Sequence, residues 1–337
     1  MTIRWGIVTA GKISHDFCNA LNSYPDKGDE MVLAAVAARS KDKAAEFAKL
    51  HKIPKVFDSY KALAVSDAID VAYIGALNPD HYELINLFLE NGKHVLCEKP
   101  LCMNFKQAQS VINVAKKKKL FLMEAVWSRF SPAYIAMEKE IQSGKLGDVK
   151  FVEVNFGVPI AGVDRLSKKD LGGSAIMDIG IYTLQFSQFV FKDEPVKVTT
   201  VGELNSDGVD IVDTVVLEYA GGRRAVLNIH AQIKLWNKAT VVGTKGRATD
   251  PFHFPTELIH VNGERSLFPL HKSSVPYNFE NSAGLVFEAL EVARCIKKGF
   301  TESPRMTLND SLTLARLEDT LRKQVGVHYD ADDKEYP

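Results

Sequence analysis

The sequence predicts an α/β chain in two parts. A doubly wound parallel sheet with helices on both faces comes first, followed by an α+β region built on a large, mainly antiparallel, open-faced sheet. Three observations carry this reading. Up to about residue 124 short apolar runs alternate with amphipathic stretches, the pattern of a parallel sheet covered on both sides. Beyond it, strand-like segments follow one another without intervening helices. At 337 residues, the chain also exceeds what one hydrophobic core organises. The expected division is 1–124 and 125–337.

In the first part strands are expected at 4–8, 31–38, 71–75, 94–97 and 120–124. Helices are expected near 14–21, 41–51, 81–90 and 105–117, the third stopped by Asn91-Gly92. In the second part Ser131-Pro132 opens a helix to about 143, and a strand at 149–156 and a helix near 174–191 follow. Strands at 196–203, 214–219, 225–233, 239–244, 257–261 and 266–269 are joined by turn signals such as Gly221-Gly222 and Asn262-Gly263. Val215, Leu217 and Tyr219 alternate along one strand, and Val226, Asn228 and His230 along the next, without telling which side stays open. Helices near 283–298 and 308–325 precede an acidic tail, 330–337, expected to fray.

Lys and Arg balance Asp and Glu at 42 each, so no global field favours nucleic acid or an acidic membrane. The run Lys116–Lys119 ends a helix, where cations complement the macrodipole. The four cysteines form no C-x-x-C pair and the nine histidines show no metal-ligand spacing, which argues against a disulfide scaffold and a metal centre. No apolar stretch approaches the roughly 20 residues of a membrane span, and the N-terminus lacks the pattern of a signal peptide. A soluble, cytoplasmic protein is the expectation.

The first strand-to-helix turn, Thr9-Ala10-Gly11-Lys12-Ile13-Ser14, is a degraded G-x-G-x-x-G with Thr9 for the first glycine and Ser14 for the third. Its position after a strand and before a helix is that of a Rossmann-type turn, where backbone N–H groups meet a pyrophosphate. The second strand ends on Arg39-Ser40 rather than on the carboxylate that binds a ribose 2′-hydroxyl. Arg39, with Ser40 and Lys43 as further donors, offers a planar fork to a 2′-phosphate, which points to NADP.

Glu98-Lys99-Pro100 follows the fourth strand at the carboxyl edge, where open parallel sheets bind ligands, and Pro100 holds Lys99 extended. Asp178 and Tyr182 stand four apart at the start of the second part's main helix, on one face. Taken alone, Glu98-Lys99 also fits a strand-end ion pair, and the Asp178/Tyr182 pair a structural contact.

Taken together, Gly6 to Ile13, Asn78-Pro79-Asp80-His81, Glu98-Lys99-Pro100, Met123 to Phe130 and Gly172-Gly173 with Asp178 to Tyr182 resemble the glucose-fructose oxidoreductase and inositol dehydrogenase superfamily. The similarity continues through Val242 to Gly246 and Pro255 to Leu258. Most members carry His where this chain has Tyr182; the tyrosine is what the dimeric dihydrodiol dehydrogenase branch implies. That branch implies NADP, a homodimer, oxidation of trans-dihydrodiols of aromatic hydrocarbons to catechols, and oxidation of D-xylose at C1 to the lactone. It also implies that Asn78, Pro79, His81 and Glu98 join the cofactor site and that Trp127, Arg129 and Phe156 wall the substrate pocket. His253 stands near a position where the branch carries an aromatic residue. Tyr182 is then the acid/base, Lys99 its electrostatic activator, and Asp178 an orienting partner. Rival readings are a superfamily reductase or dehydrogenase for another sugar or an imine, and a non-catalytic NADP-binding sensor.

Overall fold

The computed structural model describes residues 2–26, 30–252 and 256–337. Its first sheet is built from β1 (Ile3–Val8), β2 (Met31–Ala37), β3 (Lys55–Phe57), β4 (Val71–Ile74), β5 (His94–Glu98) and β6 (Leu122–Ala125). All pair in parallel, in the order β3-β2-β1-β4-β5-β6. The order reverses between β1 and β4, so the connections diverge there and leave a crevice at the strands' carboxyl ends. Helices α1 (Lys12–Ser23), α2 (Lys41–His51), α3 (Tyr60–Val65), α4 (His81–Glu90) and α5 (Phe105–Lys118) connect the strands. Ser40 caps α2 by accepting from the Lys43 amide, and Asn104 caps α5 by accepting from that of Gln107.

The second sheet comprises β7 (Val149–Gly157), β8 (Lys197–Leu204), β9 (Asp210–Glu218), β10 (Arg224–His230), β11 (Ala239–Gly243), β12 (Gly246–Asp250), β13 (Glu257–Ile259) and β14 (Arg265–Leu267). Their order is β14-β13-β12-β11-β7-β10-β9-β8, antiparallel except where β7 meets β10. Helix α6 (Pro132–Gln142) precedes this sheet; α7 (Asp164–Ser167) and α8 (Ile181–Phe191) lie between β7 and β8, and α9 (Leu285–Lys297) and α10 (Leu308–Val325) close the chain. The almost wholly buried α8 packs on β7 and β10, so Val215, Leu217, Tyr219 and Leu227 point into the core. Val216, Val226, Asn228 and His230 lie on the opposite, half-exposed face, which settles the side that the alternation left open.

The two sheets are stitched together. Helix α9 packs on α1, and α10 touches both α5 and β8. Asp16 of α1 accepts from the amides of Asn278 and Phe279 at 2.8 and 2.9 Å, fixing that segment beside the cofactor turn.

The structure departs from the sequence reading in four places. The three-residue β3, the six-residue α3 and the four-residue α7 are too short for periodicity to register. β12 follows β11 through Thr244-Lys245, which carries none of the usual hairpin residues. The helix expected near 174–191 begins with a π-helical turn, Ile176–Gly180. The tail is docked rather than frayed: the Ala331 carbonyl accepts from Asn104, Tyr336 packs edge-on against Tyr82 at 4.8 Å, and buried Arg322 holds Asp332 at 3.1 Å.

Candidate active site

The carboxyl ends of β1, β2, β4 and β5 open onto a cleft of about 1020 Å3, closed on the far side by Trp127, the end of β7 and the start of α8. Thr9, Gly11, Lys12 and Ile13 line one end, Arg39, Ser40 and Lys43 another, and Asn78, Glu98, Lys99, Trp127, Phe156, Asp178 and Tyr182 the remaining walls. Most of the sequence-expected residues, from both halves, thus face one space.

At the first turn Thr9 adopts φ 86°, a conformation that strains a β-branched residue. Its hydroxyl donates to the Gly75 carbonyl at 2.6 Å and lies 3.2 Å from the Ser14 hydroxyl. A Cβ on Gly75 would come within 2.5 Å of that Ser14 oxygen. The close helix-to-strand approach that a third glycine normally permits is here obtained from Gly75, just past the end of the neighbouring parallel strand β4. Gly11 caps α1 with no side-chain acceptor, leaving the helix N-terminus facing the cleft.

At the chemical end Lys99 Nζ lies 2.9 Å from Asp178 Oδ1 and also donates to the Asp178 carbonyl. Arg165 NH1 reaches the same Oδ1 at 2.8 Å. Burial alone would raise the Asp178 carboxyl, but Lys99 and Arg165 overcome it and hold the group far below the usual carboxylate range. The Tyr182 oxygen accepts from Trp127 Nε1 at 3.0 Å, its ring meets Phe156 edge-on at 5.8 Å, and Lys99 Nζ stands 5.1 Å from the ring centre. Burial pushes the phenol well above its ordinary value, and the charges of Glu98 and Asp178 push it further. The arrangement therefore differs from the expected activation of the tyrosine by Lys99: the lysine's charge is engaged by Asp178, and the phenol is held protonated. The π turn accompanies this geometry. Gly180 sits where a Cβ would come within 2.7 Å of Ile229, and Asp210 accepts from the Ile176 amide at 2.7 Å.

Glu98 accepts from Tyr73 at 2.6 Å, and burial raises its carboxyl. Behind it, Glu288 is fully buried with neither oxygen hydrogen-bonded, and burial, then the nearby Glu98, raise it well above the carboxylate range.

Three expected residues do not line the cleft. His81 is buried, with Nδ1 2.8 Å from the Pro100 carbonyl and Nε2 3.2 Å from that of Ala76, and burial lowers its affinity for a proton. It braces the Lys99-Pro100 segment instead of reaching a ligand. Pro79 packs against Gly172, where a Cβ would meet its ring at 2.9 Å. Arg129 turns the other way, donating to Gln185 at 3.0 Å and lying 3.4 Å from Asp310. His253 lies outside the described residues. Conversely, Arg165, Lys234, Asn237 and Glu280 line the cleft without having been singled out, because Arg165 sits on the four-residue α7 and the others on connecting segments, none with a motif. Among the described residues no cluster of His, Cys, Asp and Glu is suited to hold a metal ion, and no helix is long and apolar enough to cross a membrane.

Residues 3–126 match the model of the oxidoreductase family with an NAD-binding Rossmann fold, and residues 134–249 match the GFO/IDH/MocA C-terminal domain. Trans-1,2-dihydrobenzene-1,2-diol dehydrogenase of Danio rerio is 44% identical, covering 98% of this chain and 99% of that protein. The human enzyme of that name is 40% identical over the same shares. Among solved structures, a 3-ketoreductase from Actinomadura kijaniata in complex with NADP and TDP-benzene is 25% identical, with a TM-score of 0.79 over 98% of this chain and 99% of that one. A levoglucosan dehydrogenase in complex with NADH and levoglucosan shares the fold, with a TM-score of 0.82 at 18% identity over 97% of each chain.

Proposed function

Because the chain belongs to the GFO/IDH/MocA family of oxidoreductases, we propose that it is an NADP-dependent dehydrogenase that oxidises trans-dihydrodiols of aromatic hydrocarbons to catechols and D-xylose to its lactone. The observation that carries the reading is the single cleft joining the Thr9–Ile13 turn and Arg39 to Lys99, Asp178 and Tyr182. The residues fit a phosphorylated dinucleotide: a helix N-terminus open to a pyrophosphate, and Arg39, Ser40 and Lys43 grouped at the end of β2, where no carboxylate stands. When bound, the nicotinamide accepts at C4 the hydride that leaves the substrate's carbinol carbon.

The chain's own residues handle the proton. Tyr182 takes it from the reacting hydroxyl in oxidation, with Trp127 orienting the phenolic oxygen and Lys99 anchoring the substrate oxygen. Asp178 holds Lys99 in position. The α-hydroxy dienone formed from a dihydrodiol enolises to the catechol without further help. Because the phenol lies high, oxidation depends on a minor phenolate population and speeds up as pH rises.

Residues 1–124 serve the cofactor and 125–337 the substrate and self-association. The half-exposed face bearing Val216, Val226 and Asn228 supports a homodimer through the second sheet. Four buried free cysteines fit a reducing cytoplasm. A second reading, reduction of a carbonyl in another sugar, draws support from the raised phenol of Tyr182, a ready proton donor.

The test follows absorbance of the reduced nicotinamide with NADP+ and benzene dihydrodiol or D-xylose, and with NADPH and carbonyl substrates. Tyr182→Phe is expected to lower turnover by roughly 10²–10⁴-fold. Absence of turnover with any diol or sugar would defeat the proposal.

A further inference from the structure

Arg165 enters the cleft from the segment joining β7 to α8, and its side chain remains 40% exposed there. Its ion pair with Asp178 is the only polar side-chain contact that it makes among the described residues. Lys99 and Arg165 converge on one carboxylate oxygen, Oδ1, at 2.9 and 2.8 Å. No hydrogen bond from a described residue falls on Oδ2, and this atom is absent from the buried oxygens that lack a partner, so it opens onto the cleft. An acceptor oxygen and the spare donors of a guanidinium therefore stand side by side, next to the Lys99–Tyr182 pair.

We propose that Arg165 and Asp178 Oδ2 form a second hydroxyl site, which grips the hydroxyl on the carbon next to the one being oxidised and makes the enzyme a reader of vicinal diols. This rests on the proposed dehydrogenase reading. A hydroxyl both donates and accepts, which suits an acceptor and a donor placed together. A carboxylate alone would take a hydroxyl as readily as an ammonium, and a guanidinium alone would favour an anion; the pair selects a neutral group that does both. A ligand without the second hydroxyl leaves a partly desolvated cation and carboxylate oxygen unsatisfied, and a site of this kind rejects it.

The experiment titrates catechol and phenol, which differ by that one hydroxyl, into the NADP+-bound enzyme by calorimetry. Wild type is expected to favour catechol by roughly ten- to a hundredfold, the worth of a charge-assisted hydrogen bond. Arg165→Gln is expected to remove most of that advantage while leaving phenol binding unchanged, so the phenol arm reports an intact cleft. If the Gln variant does not fold, Arg165→Lys, which keeps a cation opposite Asp178 but loses the planar fork, is read by the same ratio. Equal affinity for the two ligands in wild type, or equal loss of both in the variant, would overturn the second site. Dihydrodiol oxidation by wild type is assayed in parallel. Turnover with no catechol preference sinks only this inference, and a catechol preference that needs Arg165 without turnover sinks only the dehydrogenase reading.

Discussion

Asp178→Asn removes one negative charge from between two cations while keeping the side chain's shape. In the wild type the carboxylate stands 2.9 Å from Lys99 Nζ and 2.8 Å from Arg165 NH1, and Lys99 Nζ stands 5.1 Å from the centre of the Tyr182 ring. The phenol is raised by burial first, then by Glu98, with Asp178 contributing in the same direction. The substitution deletes that repulsion and unmasks both cations. An opposite charge within about 4–6 Å moves a titration by about 1–3 units, so the alkaline limb of oxidation should move to lower pH by about that amount. The assay is kcat/KM for NADP+-dependent oxidation between about pH 6 and about pH 10.5, which brackets the ordinary tyrosine value. In wild type the rate climbs with pH, because the base must be phenolate; in the variant the climb levels off earlier, at a lower plateau because Lys99 is no longer held. Stability follows with a definite sign. The carboxyl is depressed in the folded state, so its contribution is present above the unfolded value near 3.9 and lost as pH falls through the folded one. Removing one partner of a buried pair costs about 3–5 kcal/mol, and since Arg165 is 40% exposed water screens it, which puts the cost at about 3 kcal/mol or less. An unmoved alkaline limb, or one moved to higher pH, would refute the coupling of Tyr182 to these charges.

Arg39→Ala should weaken NADP by roughly ten- to a hundredfold and NAD much less; equal losses in binding titrations would take Arg39 away from the 2′-phosphate. Glu288 carries a raised carboxyl with no hydrogen-bond partner, so its native protonation opposes stability as pH rises from the unfolded value near 4.3 toward the folded one. Glu288→Gln should therefore gain thermal stability over wild type, by a margin that widens between pH 5 and pH 8 melts; a margin that narrows would contradict it. Val226→Asp puts a charge on the open face of the second sheet, opposite Val216 and beside Glu153. Light scattering at micromolar concentration should read a dimer for wild type and a monomer for the variant, with unchanged circular dichroism; a wild-type monomer would remove the dimer.

The long elements were legible because each carries its own period and its own stop. β1, β2, α2, α4, α5 and α10 lie within a residue or two of their expected bounds, with Ser40, Asn104 and Thr307 as caps and Gly326 as a left-handed terminator. What escaped depends on tertiary contacts. β3 has three residues and pairs only at the sheet edge with β2. The tail looked like an acidic, solvated end, yet Asp332 answers the buried Arg322, a partnership between residues ten apart that no local pattern announces. The π turn at Ile176–Gly180 likewise meets Ile229 and Asp210, which lie on other elements and leave no mark in the local sequence.

The candidate site was legible in residue types and much less so in pairings. A strand end, a proline and a glycine turn tell where a side chain is delivered, so Lys99, Asp178 and Tyr182 could be placed from spacing, while their catalytic roles were implied only by the family resemblance. Which charge meets which neighbour depends on contacts distant in sequence, and no local pattern announced Arg165 or Glu288. That difference changes the chemistry expected of the tyrosine. A phenol facing a free ammonium would be a readier base; a phenol that is buried beside Glu98 and faces an ammonium already paired with Asp178 is an acid that becomes a base only as pH rises. The two directions of one reaction should then part company with pH. Carbonyl reduction, which needs the protonated phenol, should hold level through neutrality and fall only in the alkaline range, while alcohol oxidation climbs across the same interval. If both directions instead shared one bell-shaped optimum near neutrality, the proton would have to travel through a group other than Tyr182, and Lys99 released from Asp178 would be the nearest one able to carry it.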